Sequence, residues 1–251
     1  MTLRKSMLVA RADLRMAMKV KMVKYSLIIM AAMAPIMLIG LVLLFALSAP
    51  AIAVTTIAML DPIMSPMIGI MAIVPAVMIS ANALVGEREQ NTLEPLLCTP
   101  LTNRELLIGK VLSSFIPTIA LLLGSILITE IATNIILTSV GVGAVLLPGL
   151  SSLFLLLVAG PILIMAIISV MVLISGKVKR VYEAYQASGS IVMVFLIPMI
   201  LPMMSMNEAG IADMPVVWLS NTVTLVIASV LAIVTWALAI SRFNRDRMVS
   251  M

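Results

Sequence analysis

Two Gly-Lys pairs, Gly109-Lys110 and Gly176-Lys177, mark where a phosphate-binding loop would be sought. Such a loop needs the pattern G-x-x-x-x-G-K-[S/T], so that backbone N–H groups surround the phosphates and a hydroxyl reaches the metal. Gly109-Lys110 is followed by Val111 and has Arg104 where the first Gly should stand, and Gly176-Lys177 is followed by Val178. Neither pair qualifies, so nucleotide hydrolysis is not expected from this chain. The sequence has no histidine, which removes histidine-based triads, proton relays and the usual histidine-liganded metal sites. Its single cysteine, Cys98, excludes an internal disulfide. Met199, Met203, Met204 and Met206 could ligate a soft metal. There are 23 methionines, however, and Met64, Met67, Met71 and Met78 also recur at helical spacing, so adaptable packing accounts for both groups. No catalytic, cofactor-binding or metal-ligating residue is therefore expected. The remaining polar chemistry is concentrated in one stretch, GEREQNTLEPLLCTPLTNRELLIGK, residues 86–110, where seven of 25 residues are charged, four acidic and three basic.

The elements around that stretch follow from composition. The chain is 63% apolar and 11% charged, with a mean hydropathy of +1.23, too few charges for the shell of a soluble domain of 251 residues. This is the composition of an integral membrane protein, and apolar runs recur along the whole chain. The basic residues fall in four clusters: seven before the first apolar run (Arg4, Lys5, Arg11, Arg15, Lys19, Lys21, Lys24), then Arg88, Arg104 and Lys110, then Lys177, Lys179 and Arg180, then Arg242, Arg245 and Arg247. Intervals 25–87, 111–176 and 181–241 contain no Lys or Arg. If clustered positive charge marks the cytoplasmic side, each interval crosses the bilayer an even number of times. Two crossings of about 20 residues with an outer loop fit each interval, and four do not.

The expected fold is thus all-α, with six transmembrane helices near 26–48, 63–85, 108–130, 150–174, 187–206 and 217–240. Both termini are expected in the cytoplasm and the protein in the plasma membrane as a multi-pass protein. Asp61, Glu130, Glu208 and Asp213 fall at or near the proposed outer face. Glu130 lies 20 residues past Lys110, about 30 Å along a helix, which makes it a solvated end-of-span carboxylate. Trp218 and Trp236 suit anchors at opposite interfaces of the last span. Prolines within spans, Pro75, Pro117, Pro161 and Pro198, are expected to bend their helices, and small residues such as Ser113, Ser114, Ala159 and Gly160 permit close helix approach. The apolar run from Leu27 to Leu47 exceeds a signal-peptide core of about 7–15 residues, so cleavage is not expected.

Residues 1–25 form a segment of their own. Leu3, Met7, Ala10, Leu14 and Met18 recur at three- or four-residue steps, with Arg4, Arg11, Arg15 and Lys19 as a basic stripe beside them. Period and charge favour a helix lying in the membrane surface with its apolar side in lipid over a solvated basic tail. In the charged stretch, Thr102-Asn103-Arg104-Glu105 reads as a capping box, with Leu101 and Leu106 as its hydrophobic staple. Upstream, Thr92 can cap a second, shorter helix, with Pro95 in its first turn, Glu94 at its positive end, and Pro100 ending it. Its room for about seven residues is too little for stability alone in water. Leu93, Leu96 and Leu97 need cover, and the residues alone leave two readings: docking on a partner protein, or tucking under the chain's own inner face.

Glu87-Arg88-Glu89, Asn91-Thr92-Leu93-Glu94, Leu96-Leu97, Thr99-Pro100, Glu105 and Gly109-Lys110 together resemble a recurring signature. It belongs to membrane subunits of ATP-binding cassette (ABC) transporters of the type-2 exporter permease family, where it lies between the second and third of six spans. Asn91 stands where Gly is usual and Thr102 where Ser is usual; Asn tolerates left-handed backbone and Thr caps like Ser. Weaker echoes lie at Glu183-Ala184-Tyr185-Gln186 and at Arg242-Phe243-Asn244-Arg245-Asp246-Arg247.

The resemblance implies a mechanism. Two permease subunits, identical or similar, form the membrane pathway, and two ATP-hydrolysing subunits bind beneath. The short helix resembles the coupling helix that docks in the ATPase, and the N-terminal helix resembles the connecting helix beside it. On that resemblance Glu87, Glu89, Thr92, Leu93, Glu94, Leu96, Leu97, Pro100 and Glu105 form the ATPase-coupling interface, and Arg11, Arg15 and Lys19 belong to the connecting helix. The chain then divides into a connecting helix, 1–25, and a single six-span domain, 26–251, with its coupling loop at 86–107. ATP and Mg belong to the partner, this chain is not itself an enzyme, its surroundings are lipid, and no nucleic-acid partner is expected. Two other classes are weighed against this: a scaffold or sensor that moves nothing, and an ion-coupled carrier. The carrier is disfavoured by the lack of charges near mid-depth in the spans.

Overall fold

In the computed structural model, residues 2–19, 21–48, 53–86, 89, 102–141, 146–178, 180–207 and 212–242 are described. Among them there is helix and no strand. Helix α1 is Thr2–Lys19, α2 is Lys21–Ser48, and α3 is Ala53–Ala81, prolonged by a π-helical turn, Asn82–Gly86. Helix α4 is Asn103–Ser139. Helix α5 starts at Leu150–Leu153, widens into a π-helical segment, Phe154–Ala159, and continues as Gly160–Ser175. Helix α6 is Val181–Met204 and α7 is Met214–Arg242. Six of them carry membrane-length apolar windows: Leu27–Ser48, Met64–Ala81, Glu105–Ser139, Leu150–Ser175, Val181–Met204 and Met214–Ala239.

The six expected spans are all present, and three of their limits move, the first being the start of α3, at Ala53 instead of 63. Helix α4 does not stop near 130 but runs to Ser139, about 55 Å by its 37 residues, longer than the roughly 30 Å of hydrocarbon it has to cross. The apolar window itself continues to Ser139, and the polar side chain within the extra turns is bonded internally. Asn134 Nδ2 donates to the Leu146 carbonyl at 3.0 Å while its Oδ1 accepts from Leu146 N–H at 2.8 Å. Helix α6 starts at Val181 instead of 187, since Glu183 reaches back to the Arg180 N–H and makes a helix start out of polar residues.

Helix α3 is the axis of the bundle: 72% of its apolar window is buried, against 22% for α7. It packs against α2, α4, α5 and α6. Ile68, Ala72, Ile73 and Ala76 of α3 meet a core that includes Leu38, Leu122, Ile164, Ile167, Ile168, Met171 and Phe195. Lipid tails are as apolar as these side chains, so the helices are held by close packing and by interhelical hydrogen bonds. Gly69 of α3 illustrates the packing, since a Cβ there would meet the Met199 Cε at 2.9 Å. Pro202 illustrates the bonding. It has no N–H to give the Pro198 carbonyl one turn earlier, and Ser220 of α7 donates to that carbonyl instead. Similarly, the π-helical segment of α5 immediately precedes Pro161, whose missing N–H disturbs the regular ladder.

At the end of the bundle remote from Gly86 and Thr102, polar side chains pin residues 146–152, at the start of α5 and just before it. Besides Asn134, Asp61 of α3 accepts from Gly149 N–H at 2.9 Å and from Ser152 Oγ–H at 2.6 Å, and Asn221 of α7 donates to the Ser151 carbonyl at 2.9 Å. Glu130 is not at the end of its helix, as the sequence led one to expect. It is half-buried, with nine residues of α4 still to follow, and shares a cavity of about 40 Å³ with Asp61, Ser65, Thr129, Thr133 and Ser152. Between Lys110 and Glu130, α4 has no charged residue, so the middle of the helix is uncharged as expected. Asp61→Ala is expected to lower the thermal unfolding temperature of the detergent-solubilised protein. It leaves the Gly149 N–H without its acceptor, at about 1–3 kcal/mol for a buried group so orphaned, and leaves Ser152 with only its longer bond, 3.3 Å, to the backbone carbonyl of residue 61. An unchanged melting temperature would show that this tie contributes nothing.

Of the two expected anchors, Trp218 is exposed and stacks obliquely on Phe154 with ring centroids 5.6 Å apart. Trp236 is half-buried in an apolar groove of about 600 Å³ between α4, α5 and α7, beside Phe115 and Met165.

Candidate functional site at the base of the charged loop

The loop leaves α3 at Gly86 and returns at Thr102. Glu87, Thr92, Leu93, Glu94, Leu96, Leu97 and Pro100 lie outside the described residues. Glu89, Glu105 and the α1 residues Arg11, Arg15 and Lys19 lie within them, and they show how the two bases of the loop are built.

The returning base is the expected capping box. Thr102 is extended, and its Oγ1 accepts from Glu105 N–H at 3.3 Å. The Glu105 carboxylate accepts from Thr102 N–H at 3.0 Å and from its hydroxyl at the same distance. Two of the four otherwise orphaned donors at this helix start are thereby satisfied, and the carboxylate sits at the positive end of the helix dipole. Glu105 is buried, so its part in any coupling is to make the return of the chain abrupt and stiff.

The leaving base is tied to α6. Glu89 is exposed, and its carboxylate accepts from Val181 N–H at 3.1 Å, at the N-terminus of α6, where a negative charge is favoured. Within the π-helical turn, Asn82 Nδ2 hydrogen-bonds Tyr185 Oη at 2.7 Å and also donates to the Met78 carbonyl at 2.8 Å. The segment containing Tyr185, in sequence only a weak echo, thus holds the exit of α3.

The third component is α1. Arg11, Arg15 and Lys19 are exposed, as are Met7, Leu8, Met16 and Met18. Ser6, Val9, Ala10 and Asp13 are buried in a helix that packs mainly on α4. The expected apolar stripe is therefore divided: Met7 and Met18 remain free to face lipid, but Ala10 faces protein. The reason is Gly109. A Cβ at that position would lie 2.8 Å from Val9 Cβ and 3.0 Å from the Ser6 carbonyl oxygen, so only glycine allows the α1 backbone to come this close.

Next to it, Lys110 is only 5% exposed. Its ammonium group donates to the Ala83 carbonyl of the π-helical turn at 2.6 Å and lies 3.9 Å from the Asp13 carboxylate of α1. In the sequence Lys110 stands out through its basic cluster and its Gly-Lys pair, and Tyr185 through the weaker echo, but nothing there points to Asp13 or Asn82. The one available signal was the Gly-Lys pair at the close of the signature, which specifies a close approach and a charge without saying what approaches.

The site has four helices converging on one loop. Among the described residues no group of three or more His, Cys, Asp or Glu side chains is placed to hold a metal ion. The arrangement ties the two bases of the loop to one another and to α1 and α6. No curated protein matches this sequence. A family model does: that of the ABC-2 family transporter protein covers residues 7–216, from within α1 to the first turn of α7, and so takes in five spans complete and the charged loop. This chain, with its six membrane-length helices, belongs to the ABC-2 transporter family as a membrane-embedded permease.

Proposed function

We propose that this permease is the membrane half of an ABC exporter, with residues 1–25 as connecting helix, 26–251 as the six-span domain, and residues 86–107 as the coupling loop. A separate ATPase subunit binds ATP and Mg, docks on Glu87, Glu89, Thr92, Leu93, Glu94, Leu96, Leu97 and Pro100, and drives movement of the spans. A second permease, identical or similar, completes the pathway. Both termini lie in the cytoplasm of a cell whose plasma membrane holds the complex. The observation that carries this reading is the bracing of the loop: Thr102 and Glu105 fix one base, while Lys110, Glu89 and the Asn82–Tyr185 bond fix the other. A loop free to flex would absorb a push, whereas one clamped directly to its spans passes it on.

Purification of the tagged permease in mild detergent is expected to bring down a subunit with a phosphate-binding loop, and vesicles containing the pair are expected to hydrolyse ATP and move substrate. Screening lipids, amphipathic drugs, polymers and ions in those vesicles identifies the cargo class. Recovery of the permease without any ATPase, from membranes where both are made, counts against the proposal.

A further inference from the structure

We propose that Lys110 is a positioning residue that fastens α1, the exit of α3 and the entry of α4 into one rigid body, so that a push on the loop moves all three together. The inference rests on the permease reading above, but its central measurement does not.

A buried ammonium group costs several kcal/mol unless its surroundings compensate it. Lys110 is compensated from two different helices. Ala83 lies in the π-helical turn that prolongs α3, and its carbonyl accepts from the Lys110 ammonium group. Asp13 supplies a full negative charge from the face of α1 that Gly109 allows to approach. Ser113 Oγ donates to Lys110's own carbonyl at 2.7 Å, bonding the next turn of α4 to the one that carries the side chain. Separating α1 from α4 lengthens the Lys110–Asp13 pair, and separating the end of α3 from α4 breaks the Lys110–Ala83 bond. The hydrogen bond to Ala83 weakens steeply with distance, and the attraction to Asp13, though it falls off more gradually, is strengthened by burial.

The test uses the permease in lipid nanodiscs, with Cys98→Ser as background and spin labels at Arg15→Cys on α1 and Ile116→Cys on α4, both exposed positions. The parent is expected to give a single narrow distance. Lys110→Arg is expected to keep it, and Lys110→Met to lose it in a broad distribution. The double variant Asp13→Asn with Lys110→Met separates positioning from folding, because removing both charges leaves neither one stranded. It is expected to recover most of the parent's thermal stability while keeping the broad distribution, and it carries the test if Lys110→Met alone does not fold. A single narrow distance in Lys110→Met or in the double variant overturns the proposal. Failure of the parent to bind any ATPase would instead overturn the permease reading and leave the distance result standing.

Discussion

Leu93→Asp is expected to weaken ATPase binding to the solubilised permease by about a hundredfold or more, which is roughly 2.7 kcal/mol, with membrane insertion unchanged. Insertion depends on the apolar windows of the six helices, none of which contains residue 93. On the proposed reading, docking would depend on a short helix whose leucines fill a groove, and a carboxylate placed there would be desolvated with nothing to pair with, a situation that costs about 3–5 kcal/mol when it is fully buried. Thr102, Glu105 and Lys110 are untouched, so the bases of the loop keep their bonds and the effect is confined to the contact. Glu94→Lys works by a second route, reversing the charge at the positive end of the same helix. Binding is measured by titrating the purified ATPase onto the permease, and coupling by ATP-driven transport in vesicles. Unchanged association and activity in both variants would remove the coupling-helix assignment of residues 91–100.

Gly109→Val is expected to lift α1 off α4. The added Cβ would lie within 3.0 Å of Val9 Cβ and of the Ser6 carbonyl, neither of which is the free end of a flexible side chain, so the helix itself must yield. Overpacking of this kind costs about 1–3 kcal/mol, and the displacement also pulls Asp13 from Lys110. The measurement is thiol labelling of Ala10→Cys, a buried position on the packed face of α1, in a Cys98→Ser background. The rate is expected to rise about tenfold or more, the counterpart of 1.4 kcal/mol in the opening equilibrium. Gly124→Val in the same helix is the control, because a Cβ there meets nothing within 4 Å. Equal labelling in the two variants would show that the close approach at Gly109 does not hold α1.

These expectations rest on different kinds of information. The six spans, the basic clusters at their ends and the Thr102–Glu105 cap could be read directly, because each depends on residues within a turn or two of one another. The capping box needs only a Thr and a Glu three positions apart, and a span needs only an unbroken apolar run. The overshoot of α4 past Glu130 could not be read, because a carboxylate 20 residues past Lys110 reads as the solvated end of a span, whereas the helix runs on to Ser139 with Asn134 bonded to both backbone groups of Leu146. The same applies to Asp61, which is placed at the outer face by its charge alone but bonds Gly149 and Ser152 within the bundle.

The amino-acid sequence by itself determined six membrane-length helices and the cap that starts α4, since hydropathy and capping are local properties, and it pointed to the permease family only through the resemblance of its charged stretch to that family's signature. Only the tertiary structure decided that Gly109 admits α1, that Lys110 meets Asp13 and Ala83, and that Asn82 and Glu89 fasten the loop to α6. Those partners come from different helices, and what selects them is the cost of leaving a buried charge or carbonyl unpaired once the helices have packed.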